Sequence, residues 1–147
     1  MTTRMKLPAA ESVLAAGYLV ATAGGLLLVL APDFVGLGWL NASVRAAFFG
    51  TGTVPAGAEA MRRWLYAVEG STLAAFGILG WSVVHGAIRR RVRWGRNALT
   101  IAVGVWFPLD TFVSLRAGVW ANAVLNVVIA LLLLGPLARL WNRFPSD

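Results

Sequence analysis

Trp106-Phe107-Pro108-Leu109-Asp110-Thr111-Phe112-Val113-Ser114-Leu115-Arg116-Ala117-Gly118-Val119-Trp120-Ala121-Asn122-Ala123-Val124-Leu125-Asn126 lies between long apolar runs, yet it carries a proline, a carboxylate, a guanidinium and two amides. Apolar sequence this dense points to lipid as the solvent, and polar groups placed in lipid need a partner or a purpose. The stretch reads as the end of one apolar helix, a turn at Ala117 and Gly118, and the start of the next. It is a tight antiparallel hairpin with its polar residues gathered near the turn.

Composition extends that reading to the whole chain. Of 147 residues, 59% are hydrophobic and 13% charged, where a soluble domain carries about a quarter charged residues. A span takes ~20 apolar residues, so the length allows about four. The expected fold is all-α: a polytopic membrane protein whose single domain, 1–147, is an antiparallel bundle of four transmembrane helices. The spans fall at about 10–31, 61–87, 97–116 and 119–140, with an outer loop over 32–60. The first run is longer than the ~7–15-residue core of a cleaved signal, and reads as a retained helix. In it, Gly17, Ala21 and Gly25 recur every four residues, a small-residue stripe that allows close helix packing. Inside the loop, 41–49 reads as a short helix on the membrane surface or a lid, with Asn41 placed to cap it.

Charge gives the orientation. With the N-terminus inside, Arg4, Lys6, Arg89, Arg90, Arg91, Arg93, Arg96, Arg139 and Arg143 lie inside, and Arg45, Arg62, Arg63 and Arg116 outside. Nine against four favours N-in and C-in. Trp39, Trp64 and Trp120 then form an outer belt, with Trp94 and Trp141 at the inner face. The net charge of +7 is accounted for by orientation and by attraction to anionic head groups, so nucleic acid is not an expected partner. Membrane lipids are; a second copy or a partner membrane subunit stays open.

Without cysteine the chain has no disulfide, thiolate metal site or thiol nucleophile. The single histidine, His85, falls at the last turn of the second span and reads as a helix-end residue. No cofactor and no metal ion are expected.

Depth singles out one layer. At ~1.5 Å per residue, Asp110 falls about 5 Å and Glu69 about 8 Å to the outer side of the midplane, with Asn126 and Asn122 at about 5 and 11 Å on the same side. Helical spacing puts Asp110 on one face with Trp106 and Ser114, Asn122 with Asn126, and Glu69 with Thr72. The candidate site is therefore Glu69, Asp110, Ser114, Asn122, Asn126, Thr72 and Trp106. An acid at mid-membrane costs ~3 kcal/mol, while each Leu, Ile, Phe or Val returns ~0.5. Pro108 also frees the carbonyl of Gly104. The third span thus needs the Leu-rich fourth, Leu131 to Leu134, as its partner.

Two readings of the layer stand open. In one, the polar side chains bond one another and lock the bundle. In the other, they line a pocket in the outer-leaflet half that binds a small or lipidic ligand or a partner's helix. No catalytic residue is assigned. Ser71, Thr72, Thr111 and Ser114 have no histidine at their depth, which argues against Ser-His hydrolysis. Glu69 and Asp110 leave two alternatives to binding: proton transfer on an apolar substrate, as in an isomerase, or a proton-coupled carrier.

The segment Trp106-Phe107-x-x-Asp110-Thr111-x-x-Ser114-Leu115-x-x-Gly118-Val119-x-x-Asn122-x-x-x-Asn126, preceded by Arg63-Trp64-Leu65-Tyr66 and Gly80-Trp81, resembles a family of small bacterial four-helix integral membrane proteins with no assigned activity. The likeness covers roughly residues 60 to 140 and implies a bacterial inner-membrane location. A looser similarity, in helix number and buried acids, is to the sterol-isomerase-like four-helix proteins.

Overall fold

The computed structural model describes residues 9–144, which contain five α-helices and no strand. They are α1 (Ala9–Leu30), α2 (Gly38–Phe49), α3 (Ala56–Val83, continued by a π-helical turn Val84–Ile88), α4 (Arg93–Arg116) and α5 (Trp120–Leu140). Four stretches are long and apolar enough to cross a membrane: Ala9–Leu30, Ala56–Ile88, Arg93–Arg116 and Trp120–Arg143.

The boundaries depart from the sequence reading where charge suggests a helix end. α3 begins at Ala56, directly after Pro55, whose φ of −60° suits a helix start. α4 begins at Arg93, not Asn97. Arginine is a good helix former with a long stem, so a basic run marks head-group depth without ending the helix. α2 begins at Gly38, which puts Asn41 inside the helix instead of at its cap. The Asn41 amide donates to the carbonyl of Pro32 at 3.2 Å and its oxygen accepts from Arg62 at 2.9 Å. Those two bonds tie the loop to α3, a better use of the amide than one exposed backbone N–H.

The starts of α1 and α4 and the ends of α3 and α5 share one end of the bundle, here the terminal end; α2 covers the other. α1 packs against α3 and α5, and α4 packs against α5. The α1/α3 seam is made of small residues. A methyl group at Gly25 would collide with the backbone of Gly70 and Ala74, one at Gly77 with Thr22, and one at Gly80 with the ring of Tyr18. Such close approach replaces hydrophobic burial as the source of cohesion when the solvent is itself apolar. Gly17 faces Leu133 of α5, so the α1 stripe serves two neighbours.

Two cores result. At the terminal end all four long helices converge: Leu14 and Tyr18 of α1, Val84 and Ile88 after α3, Leu99 and Val103 of α4, Leu133 and Leu137 of α5. At the α2 end the core is Leu28, Leu40, Tyr66, Val119 and Ala121, from α1, α2, α3 and the α5 start, and α4 adds no buried residue to it. α4 meets α3 around their connection, where Gly95 lies against Val83 and Ala87. Towards the α2 end it leans on α5 and makes little contact with α3.

The exterior inverts that of a soluble protein. Leu19, Val20, Leu26, Ile78, Leu79, Ile101, Val105, Leu109 and Leu131 face outward, while Gly25, Gly70, Ala74 and Gly77 are buried. An apolar shell of this extent suits hydrocarbon.

The seam makes a checkable distinction between glycines. Gly77→Val should destabilise the purified protein by about 1–3 kcal/mol through overpacking. At Gly104 an added methyl would meet nothing within 4 Å, so this position should accept Ala without loss. Thermal unfolding in detergent reads both.

Candidate functional site

Gly118 adopts φ +77°, a left-handed conformation that glycine enters without steric cost. With Ala117 it reverses the chain from α4 into α5. The first turns of α5 are thereby folded back on the last turns of α4, bringing Asn122 against Asp110 and Ser114.

The hydrogen bonds are specific. Ser114 Oγ donates to Asp110 Oδ1 at 3.2 Å. Asn122 Nδ2 donates to Asp110 Oδ1 at 3.1 Å and to Ser114 Oγ at 2.8 Å. Ser114 is buried and Asp110 and Asn122 are half-buried. One turn along α5, the buried Asn126 donates to Thr111 Oγ1 at 3.3 Å. The hairpin is thus held by a short polar zipper.

On α3, Glu69 is exposed and near enough to Asp110 for the two charges to repel. Among the described residues nothing donates a hydrogen bond to it. The structure therefore joins Asp110, Ser114 and Asn122, attaches Asn126 through Thr111, and sets Glu69 opposite. Thr72 stands apart: its hydroxyl donates to the Val68 carbonyl of its own helix at 3.0 Å, the usual refuge for a threonine in an apolar helix. Trp106 lies one turn below Asp110 and packs, half-buried, with Phe107 against the terminal-end core. It forms the floor of the layer and makes no polar contact within it.

A groove of about 380 Å³ follows the exposed seam of α4 and α5, between Leu115, Trp120, Val124 and Val127, with Thr111 on its wall. Its lining is apolar, fit for hydrocarbon and lacking a group for chemistry. No cluster of three or more His, Cys, Asp or Glu is placed to hold a metal ion among the described residues.

Two charged clusters are not foreseen by the sequence reading. Arg62, an interface residue by position, is only 6% exposed. It donates to Glu59, Asn41 and Asp33, and its guanidinium lies 5.2 Å from the Tyr66 ring centre. Arg45 completes the set through Glu59 at 2.9 Å, and Arg63 through Asp33 at 2.9 Å. The three-residue spacing of Glu59 and Arg62 is the available signal; Asp33 and Asn41, far away in sequence, give none. At the other end Glu11, 2% exposed, meets Arg91 at 2.8 Å. This is a charge contact rather than an aligned hydrogen bond. Arg91 holds φ +59° to make it, a conformation costly for a residue with a Cβ. His85, in the π-helical turn, donates from Nδ1 to the Trp81 carbonyl at 2.9 Å and stacks on the Trp81 ring at 4.0 Å.

The hydrogen bond from Arg62, aided by the charges of Arg63 and Arg45, holds the Asp33 carboxyl below its ordinary value. A lowered carboxyl stabilises the fold above its unfolded-state pKa, and that contribution is lost as pH falls through the lowered value. The 31–55 connection should therefore resist proteolysis down to about pH 4 and loosen below it. Arg62→Gln should make cleavage there several-fold faster at neutral pH.

Comparison with family models, curated proteins and solved structures finds no match for this chain. Fold and site define it only by class: a small all-helical bundle with four stretches able to cross a membrane, and an acid-containing polar layer where α3 and α4 diverge.

The zipper and the solitary groups separate by mutation. Asn122→Ala removes two interhelical bonds and should cost about 1–2 kcal/mol, whereas Thr72→Ala should be within ~0.5 kcal/mol of the parent. Unfolding in detergent tests the pair.

Proposed function

We propose that the chain is an integral protein of a bacterial inner membrane, with both termini on the cytoplasmic side. In this reading the polar layer between Glu69 of α3 and Asp110 of α4, in the outer-leaflet half, binds a small or lipidic ligand or the helix of a partner membrane subunit. One observation carries it: Glu69 stands on an exposed face of a helix long and apolar enough to cross a membrane, near a second carboxylate, and no hydrogen bond reaches it from the described residues. An acid in that position calls for a partner. Arg62 does not supply one, since it is taken by Glu59 and Asp33. The Asp110 carboxylate, already oriented by Ser114 and Asn122, can accept further bonds.

The complementary ligand is a hydrogen-bond donor or a cation with an apolar body. The donor end would bridge the two carboxylates, and the apolar body would lie among the Val, Leu and Phe side chains of α3 and α4. Orientation rests on the arginine asymmetry, and the bacterial inner membrane on the resemblance of residues 60 to 140. The same acid pair can carry a proton. That is the basis of the alternatives, an isomerase-like enzyme or a proton-coupled carrier.

Mass spectrometry of small molecules retained through purification decides among these. Binding predicts a retained compound that Glu69→Gln lowers about tenfold or more, the scale of a lost charged hydrogen bond, at an unchanged melting temperature. Retention unaffected in both Glu69→Gln and Asp110→Asn, with only a lower melting temperature, would reduce the layer to a structural lock. Conversion of the retained compound would favour the enzyme. Proton-driven flux in liposomes that Asp110→Asn abolishes would favour the carrier.

A further inference from the structure

The arginines of the two ends differ in what neutralises them. Of the four arginines at the α2 end, Arg45, Arg62 and Arg63 are ion-paired with Asp33 and Glu59, and Arg116 lies over the Phe112 ring. At the terminal end one acid is available among the described residues, Glu11, and it is buried under Arg91. Arg89, Arg90, Arg139 and Arg143 are exposed there, and no carboxylate of the described chain pairs with them. From this we infer that the terminal end is a binding face for anionic phospholipid head groups, which supply a counter-charge that the described residues do not.

The surroundings favour lipid over a soluble acidic partner. Trp94 and Trp141 are 59% and 45% exposed at this level, the position aromatic rings take at a membrane interface. Arg96 stacks over Trp141 at 4.0 Å and donates to its carbonyl, fixing a cation at the same depth as the ring. The π-helical turn Val84–Ile88 ends in Arg89 and Arg90, and the left-handed Arg91 turns inward to Glu11 while its two predecessors remain exposed. Burying the acid matters as much as displaying the bases: an exposed Glu11 would repel a phosphate at the site Arg91 now covers.

The inference holds whichever way the polar layer is read, and its test avoids that layer. The whole protein is purified into micelles containing equal phosphatidylglycerol and phosphatidylcholine with matched chains, and bound lipid is counted by native mass spectrometry. An arginine near an anionic surface is worth about fivefold in partitioning, so phosphatidylglycerol should be enriched at least about fivefold. The preference should shrink several-fold in ~0.5 M salt, chosen because the Debye length then falls to roughly half its physiological value, and in Arg89→Gln/Arg90→Gln/Arg143→Gln. Arg116→Gln, at the opposite end, should leave it unchanged. Equal retention of the two lipids by the parent protein would overturn the inference, as would undiminished preference in the triple variant. Displacement by millimolar glycerol phosphate would also overturn it, since that outcome marks a site for soluble phosphate.

Discussion

The α1/α3 seam is the constraint on which the rest of the arrangement depends. Gly25, Gly70, Ala74 and Gly77 let two backbones approach until no added methyl would fit at the glycines. α1 packs on α3 on one side and on α5 on the other, and the remaining long helix packs mainly on α5. The short turn at Ala117 and Gly118 puts it there. A four-helix ring closed equally on all sides would need bulk between α3 and α4 along their whole length. The chain supplies it only in the terminal half, where Phe76, Val83, Trp106 and Phe107 pack on the common core. The sparse contact between α3 and α4 towards the α2 end goes with the absence of such bulk there.

The two ends are closed by charge in different ways. At the α2 end a buried guanidinium gathers two carboxylates and an amide from three separate segments. That fixes α2 over the bundle although α2 is short and contributes only Leu40 and Ser43 as buried residues. At the terminal end Glu11 and Arg91 form a single contact joining the start of α1 to the α3–α4 connection. Both closures rely on long-stemmed arginine, whose methylenes can lie along apolar surface while the head reaches an acid.

Much of this is legible in the chain because long apolar runs obey simple rules. Four apolar runs give four helices, and the α1 stripe at Gly17, Ala21 and Gly25 announces close packing. The Asp110, Ser114 and Asn122 contacts follow from four-residue spacing on either side of a two-residue turn. What stays hidden depends on pairings distant in sequence. The answering stripe on α3 gains meaning only when laid against α1. Arg62 and Glu11 look like interface residues by position and are buried because partners arrive from elsewhere. Thr72 shares a helical stripe with Glu69 by spacing, yet its hydroxyl is satisfied locally; spacing describes direction but not competition from the backbone. Asn41 misleads for the same reason in reverse, its amide drawn to Arg62 and Pro32 instead of to a helix end.

The polar layer divides along the same lines. On α4 and α5, donors and acceptors are matched: Asn122 and Ser114 turn towards Asp110, and Asn126 turns towards Thr111. A structural need, holding the Asp110-bearing helix to its neighbour, accounts for those residues. It does not account for Glu69, which sits on the other wall, holds no helix in place and faces a like charge. An interhelical lock would gain nothing from it, since a glutamine or leucine at that position would cross hydrocarbon at less cost. A carboxylate that the bundle neither bonds nor needs for packing is the observation on which the proposed ligand rests.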